Sequence, residues 1–203
     1  MRIIGTLSES PLHRALKEHY ARPGAQFEVP VGGYIIDLVQ ADGELVEVQT
    51  GGFKPLRAKL ERLLDYHPMR IVHPVAIKKR RTPRKLLNIF EKLVSFPTLL
   101  THPNLTLDVV FVREEKREQQ RHLLEIVEVQ HFFSADCVAQ YLPSGLEQFT
   151  LKQLVTGMKA QKWTVECFLY CARALEIVEQ VGKQGNAHIY ARRISGSKAL
   201  LAL

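Results

Sequence analysis

Two acids, Asp37 and Glu47, lie within "YIIDLVQADGELVEVQT", each set among apolar residues, on either side of an Ala-Asp-Gly turn. A three-residue loop of Ala41, Asp42 and Gly43, with Gly43 in the left-handed conformation such loops need, pairs Gln40 with Glu44 and sets Asp37 opposite Glu47. Alternation then puts Gln49 on the acid face and Ile36, Leu38, Val46 and Val48 on a wholly apolar one. A two-residue Asp-Gly turn would instead pair Asp37 with Val48 and scatter acids over both faces, so the first register is expected. Opposed carboxylates repel across a strand pair. A hard divalent cation relieves that repulsion, and Mg2+ (or Mn2+) takes one or two carboxylates together with water and substrate phosphate. The plain alternative is a solvated hairpin face with an accidental acidic pair.

The elements around the hairpin must position these acids. "SESPLHRALKEHY" reads as a first helix, capped by Ser8 or Ser10, with Leu12, Ala15, Leu16 and Tyr20 as its apolar stripe and Glu9 on the same side. "QFEVPV" is a short strand leading into the hairpin. "FKPLRAKLERLLDYH" is a second helix with Leu56, Leu60, Leu63 and Leu64 inward, and "RIVHPVAI" a further strand. Lys59 flanks the inward face of that second helix, with Lys54 as a second candidate; either can equally be a lysine snorkelling to solvent.

This order of helix, three-strand meander, helix and strand, with Asp37 followed by Glu47-Val48-Gln49, resembles the PD-(D/E)XK phosphodiesterase superfamily over about residues 5 to 115. The resemblance implies an α/β fold with a restriction-endonuclease-like αβββαβ core. It also implies Asp37 and Glu47 as metal ligands, Glu9 as the assisting helix acid, and a closing residue that orients the attacking water. That closing position holds Gln49 where the superfamily has Lys. Gln orients water by hydrogen bonds but brings no positive charge, and Lys59 could supply it. "LHRALKEHY", "GYIIDLV", "VEVQTGGF", "LVSFPTLL" and "VGKQGNAHIYARR" together resemble a bacterial family, itself uncharacterised, that joins such a domain to a C-terminal winged helix.

Composition shifts after residue 133. Helices over 134–142, 150–159 and 164–175, then the strands "EIVEQV" and "AHIYARR", predict a winged helix-turn-helix, so the domains expected are 1–133 and 134–203. Its third helix offers Glu166 and Arg173, while Lys162, Lys183, Arg192 and Arg193 surround it, a pattern for backbone contact or for protein docking. The run Lys78, Lys79, Arg80, Arg81, Arg84 and Lys85 follows a strand and suits phosphate contact; a solvated loop is the other reading. A second "VEVQ" at 127–130 with Asp108 upstream imitates the first, but "REEKREQQRH" intervenes as a charged connection. An alternating edge strand is expected there instead of a second centre.

The 203 residues carry a net charge of +7, which favours a polyanionic partner, here DNA. No apolar run reaches spanning length and no signal-peptide core is present, so a cytoplasmic protein without membrane contact is expected. Three cysteines suggest no disulfide framework, and Cys167 and Cys171 lack further ligands at zinc spacing. The expected function is metal-dependent hydrolysis of DNA, with a homodimer compatible. The alternative is a catalytically silent nuclease-fold protein that binds DNA or regulates through the winged helix.

Overall fold

The computed structural model describes residues 10–77, 86–116 and 122–193, with the side chains of 114–116 and 122–124 excepted. Helix α1 (Pro11–Tyr20) starts where Ser10 Oγ accepts the His13 N–H at 3.2 Å and Pro11 occupies the first turn. The strands β1 (Gln26–Val31), β2 (Tyr34–Val39) and β3 (Leu45–Val48) form an antiparallel meander. Helix α2 (Leu56–Leu63) crosses to β4 (Met69–Ala76), which is parallel to β3, and helix α3 (Phe90–Leu93) with the 3-10 turn Pro97–Thr101 leads to a parallel β5 (Leu105–Lys116). Strand β6 (His122–Phe132) returns antiparallel, completing a six-stranded mixed α/β sheet in the order β1-β2-β3-β4-β5-β6.

Parallel strands need crossovers, and crossovers cover both faces. The near-continuous apolar runs of β4 and β5 follow from that. Leu16 of α1 closes one face over Leu38, Val46, Val48, Val72, Val110 and Val112. The other face, bearing Leu45, Ile71, Leu107 and Phe111, packs under α2, α3 and the C-terminal elements.

Those elements are α4 (Asp136–Ala139), β7 (Gln148–Thr150), α5 (Leu151–Met158), α6 (Lys162–Ala174), β8 (Val178–Gln184) and β9 (Ala187–Arg192). Strand β7 pairs with β9, giving a three-stranded antiparallel sheet in the order β7-β9-β8. Helix α5 begins in a reciprocal cap between Thr150 and Gln153. The helix expected over 134–142 is confined to Asp136–Ala139, and β7 was not expected at all; three residues are too few to show a period. The two parts share one core, in which the Phe90 ring meets Phe168 edge-on at 4.9 Å, Tyr141 at 5.8 Å and Phe132 at 6.4 Å. A hydrogen bond from Thr164 Oγ1 to Glu91 Oε1 at 2.5 Å lies at the same junction.

Candidate active site

The expected register holds. Gln40 N–H donates to Glu44 O and Gly43 N–H to Gln40 O, both at 2.9 Å, with Gly43 at φ +87°. The rungs Leu38 to Val46 and Val39 to Leu45 follow, and the same register brings Asp37 beside Glu47, whose carboxylate accepts the Asp37 backbone N–H. The ladder stops there, because Val48 N–H donates to Asp37 Oδ2 at 2.8 Å instead of to a backbone carbonyl. This corrects the expected apolar face. Ile36 packs in the core under α2, whereas Leu38 and Val48 pack under α1. With the carboxylate taking the place of the next rung, β2 turns out of alternation at Asp37.

Glu47 is 7% exposed and pairs with Lys59, whose ammonium lies 2.7 Å from Oε1, 3.1 Å from the Ile35 carbonyl and 5.7 Å from the centre of the Tyr34 ring. Burial raises the Glu47 carboxyl above the ordinary range, and the nearby Asp37 charge adds to this, while Lys59 opposes it. Lys54 is exposed. From α1, His13 Nε2 lies 3.2 Å from Asp37 Oδ2, so among the described residues this contact and the Val48 N–H fall on the same carboxylate oxygen. Glu9 lies outside the described residues.

Gln49 follows directly after β3 and turns into the loop, donating from Nε2 to the Gly52 carbonyl at 2.6 Å. The loop is held from two other elements. Lys92 donates to the Gly51 carbonyl at 3.0 Å, and His73 Nδ1 donates to the Gln49 carbonyl at 2.5 Å while its ring stands edge-on to Phe53. Burial pushes the His73 imidazole down to about 4, so it is neutral in ordinary buffers, with Nε2 as the unprotonated nitrogen.

The second acid pair is not a copy of the first. Asp108 pairs in register with His131 and Glu128 with Phe111, so the two acids sit at different levels of a long β5–β6 hairpin. The charged connection expected between them begins and ends in strand, since β5 continues to Lys116 and β6 starts at His122, and residues 117–121 lie outside the described residues. Strand β6 is the expected edge. Asp108 is 1% exposed and holds a network: Tyr20 Oη donates to Oδ2 at 3.0 Å, Arg70 Nη1 to Oδ2 at 2.9 Å, and His131 Nδ1 lies 2.6 Å from Oδ1. Arg70 Nε also donates to Glu44, which Arg22 holds in turn. The sequence reading gave no role to His13 or Lys17 and named Asp108 only as part of the pair that imitates the first. Positions 13, 17 and 20 lie on one side of α1, Tyr20 of the expected apolar stripe among them, and their side chains meet Asp37, Glu28 and Asp108.

Lys162 is exposed and lies 3.5 Å from Glu166, and Lys183 is exposed on β8. Arg192 is partly buried, its guanidinium 3.4 Å from the Leu142 carbonyl, and Arg193 pairs with Glu176 at 3.2 Å. Trp163 and Tyr170 are 63% and 55% exposed on the outer side of α6. The run Lys78, Lys79, Arg80, Arg81, Arg84 and Lys85 lies outside the described residues. Among the described residues, no group of three or more His, Cys, Asp or Glu is gathered to hold a metal ion, and no helix is long and apolar enough to cross a membrane. Cys167 and Cys171 are buried free thiols.

Residues 10–125 match the family described as "Domain of unknown function (DUF8091)". A protein of Treponema pallidum (strain Nichols), named "Uncharacterized protein", is 29% identical over a 234-residue alignment that covers 95% of this chain and 89% of the relative. No solved structure matches the chain.

Proposed function

The chain belongs to the DUF8091 family, whose description names no activity, so its chemistry has to come from its own residues, and we propose that these form a Mg2+-dependent phosphodiesterase acting on DNA. The observation that carries the reading is the meeting of Asp37, Glu47 and Lys59, from two strands and the following helix, at the point where the β2–β3 ladder ends. Support also comes from the element order, in which an antiparallel meander continues through α2 into a parallel β4. This is the arrangement a restriction-endonuclease-like core calls for. The strand–helix–helix–hairpin order of the C-terminal part, with β7 beside β9, supports a winged helix.

The donor set fits the metal in kind. Two carboxylate oxygens from adjacent strands suit Mg2+, which leaves most of its positions to water and phosphate. Asp37 and Glu47 would hold it, and when bound it would supply Lewis acidity toward a phosphoryl oxygen. Lys59 contributes the fixed positive charge that Gln49 lacks, while Gln49 holds the loop through the Gly52 carbonyl. His13 holds Asp37 Oδ2, directing Oδ1 toward a cation. The basic run at 78–85 and the charged rim of the C-terminal part would neutralise DNA phosphates.

One observation favours a second reading, a silent scaffold that binds DNA: the Lys59 ammonium already balances Glu47 without any metal. Calorimetric titration of Mn2+ into wild type and Asp37→Asn, with a cleavage assay on single- and double-stranded DNA, tests the choice. The enzyme reading expects binding and cleavage that the variant loses. Wild type that takes up no Mn2+ and cuts nothing leaves the scaffold.

A further inference from the structure

Glu28 stands at the one irregular step of the β1–β2 hairpin. The pairs Phe27 to Leu38 and Val29 to Ile36 lie on either side of it, with one residue between them on each strand, yet Glu28 and Asp37 form no rung. No residue is inserted, so this is not a bulge. Glu28 instead adopts φ +54°, a left-handed conformation unfavourable for any residue with a Cβ. A regular rung was available, and a strained residue beside a candidate catalytic acid points to a role for the strain.

The side chain indicates the role. The Glu28 carboxylate forms an ion pair with Lys17 of α1, a lysine only 5% exposed. Lys17 is one helical turn from His13, the residue that meets Asp37. The strained strand residue and the helix bearing His13 are therefore tied by a charge pair. Opposite the strain, Asp37 leaves the alternation that would otherwise put Ile36 and Leu38 on one face. We propose that Glu28 and Lys17 are a positioning pair: the left-handed turn at Glu28 releases Asp37 from the sheet, and the ion pair seats α1 over its carboxylate. This rests on the reading of Asp37 as a metal ligand.

Three variants test it: Glu28→Gly, which keeps the left-handed backbone without its steric cost; Glu28→Gln, which keeps the size without the charge; and the exchange Lys17→Glu with Glu28→Lys. Mn2+ affinity is measured by calorimetry, kcat and KM on DNA by cleavage, and Tm in chelator. Glu28→Gly is expected to melt no lower than wild type, yet bind Mn2+ at least tenfold more weakly and lose at least tenfold in kcat with KM unchanged. Glu28→Gln is expected to share both losses, and the exchange to recover part of them. Wild-type affinity and kcat in Glu28→Gly overturn the inference and leave the phosphodiesterase reading standing, as does a melting loss in both single variants with the metal site intact. A wild type that binds no Mn2+ removes the reading and the inference together.

Discussion

The Lys59 ammonium lies 2.7 Å from the Glu47 carboxylate, and both side chains are mostly buried between α2 and the sheet. Taking one charge from such a pair strands the other away from water. Lys59→Ala should therefore lower stability by about 3 kcal/mol in chelator, and Glu47→Gln by a comparable amount, while the Lys59→Ala, Glu47→Gln double variant costs less than the two together. Urea melts of the four proteins measure this. On the phosphodiesterase reading, Lys59→Ala also loses about a hundredfold in cleavage rate, the scale of one electrostatic stabiliser. An active Lys59→Ala equal to wild type would remove Lys59 from the mechanism.

Asp37 has a structural duty as well as a proposed chemical one. Asp37→Ala leaves the Val48 N–H without its acceptor, which should cost about 1–3 kcal/mol despite the relief of repulsion with Glu47. Asp37→Asn keeps a carbonyl oxygen for that N–H and should melt within about 1 kcal/mol of wild type, yet fail to bind Mn2+. Equal melting of the Ala and Asn variants would show that the hydrogen bond contributes nothing.

His73 makes a signed prediction about pH. Its folded-state value of about 4 lies below the ordinary 6.5, so between these values the unfolded chain takes up a proton that the native state refuses. Stability is complete above pH 6.5 and falls toward pH 4 by about 3 kcal/mol from this group alone. His73→Asn can still donate to the Gln49 carbonyl but does not titrate. Its melts at pH 7 and pH 4.5 should differ by correspondingly less than those of wild type, and an undiminished difference would assign the acid sensitivity elsewhere.

Asp108 separates structure from chemistry. Asp108→Ala removes the shared acceptor of Tyr20, Arg70 and His131 and should destabilise by about 3 kcal/mol, while Mn2+ affinity stays at the wild-type value. Loss of metal binding without loss of stability would promote the second "VEVQ" from decoy to site.

The basic run at 78–85 should govern affinity without governing sequence. Charge reversal there is expected to weaken DNA binding uniformly and flatten its salt dependence, by about 0.9 in log–log slope for each phosphate no longer neutralised. An unchanged slope would mean that these side chains are merely solvated.

Much of the hairpin was legible because Gly43 leaves few choices for the loop, and the loop dictates the pairing of every residue after it. Lys59 was legible from its spacing against Leu56 and Leu63. The exchange of faces at Asp37 was not, since it depends on a left-handed Glu28 and on a carboxylate standing in for a backbone acceptor, and neither alters the pattern of apolar residues. The Asp108 network escaped for a related reason. Asp108 interrupts the largely apolar first part of β5, and its partners come from α1, β4 and β6, which only the folded sheet brings together. The hairpin of β5 and β6 was hidden by its own charges, because the run "REEKREQQRH" writes no alternation of apolar and polar residues.

The ring packing around Phe90 has a metrical consequence. Helix α6 is seated on the same apolar mass as the strands bearing Asp37 and Glu47, so Trp163 and Tyr170 are carried by the core that also carries the two acids. A nucleic acid gripped along that outer helix would be presented to the carboxylates at a set offset. On the phosphodiesterase reading, the protein would then act as a ruler, cutting a fixed number of nucleotides from the place it holds, whatever the sequence in between.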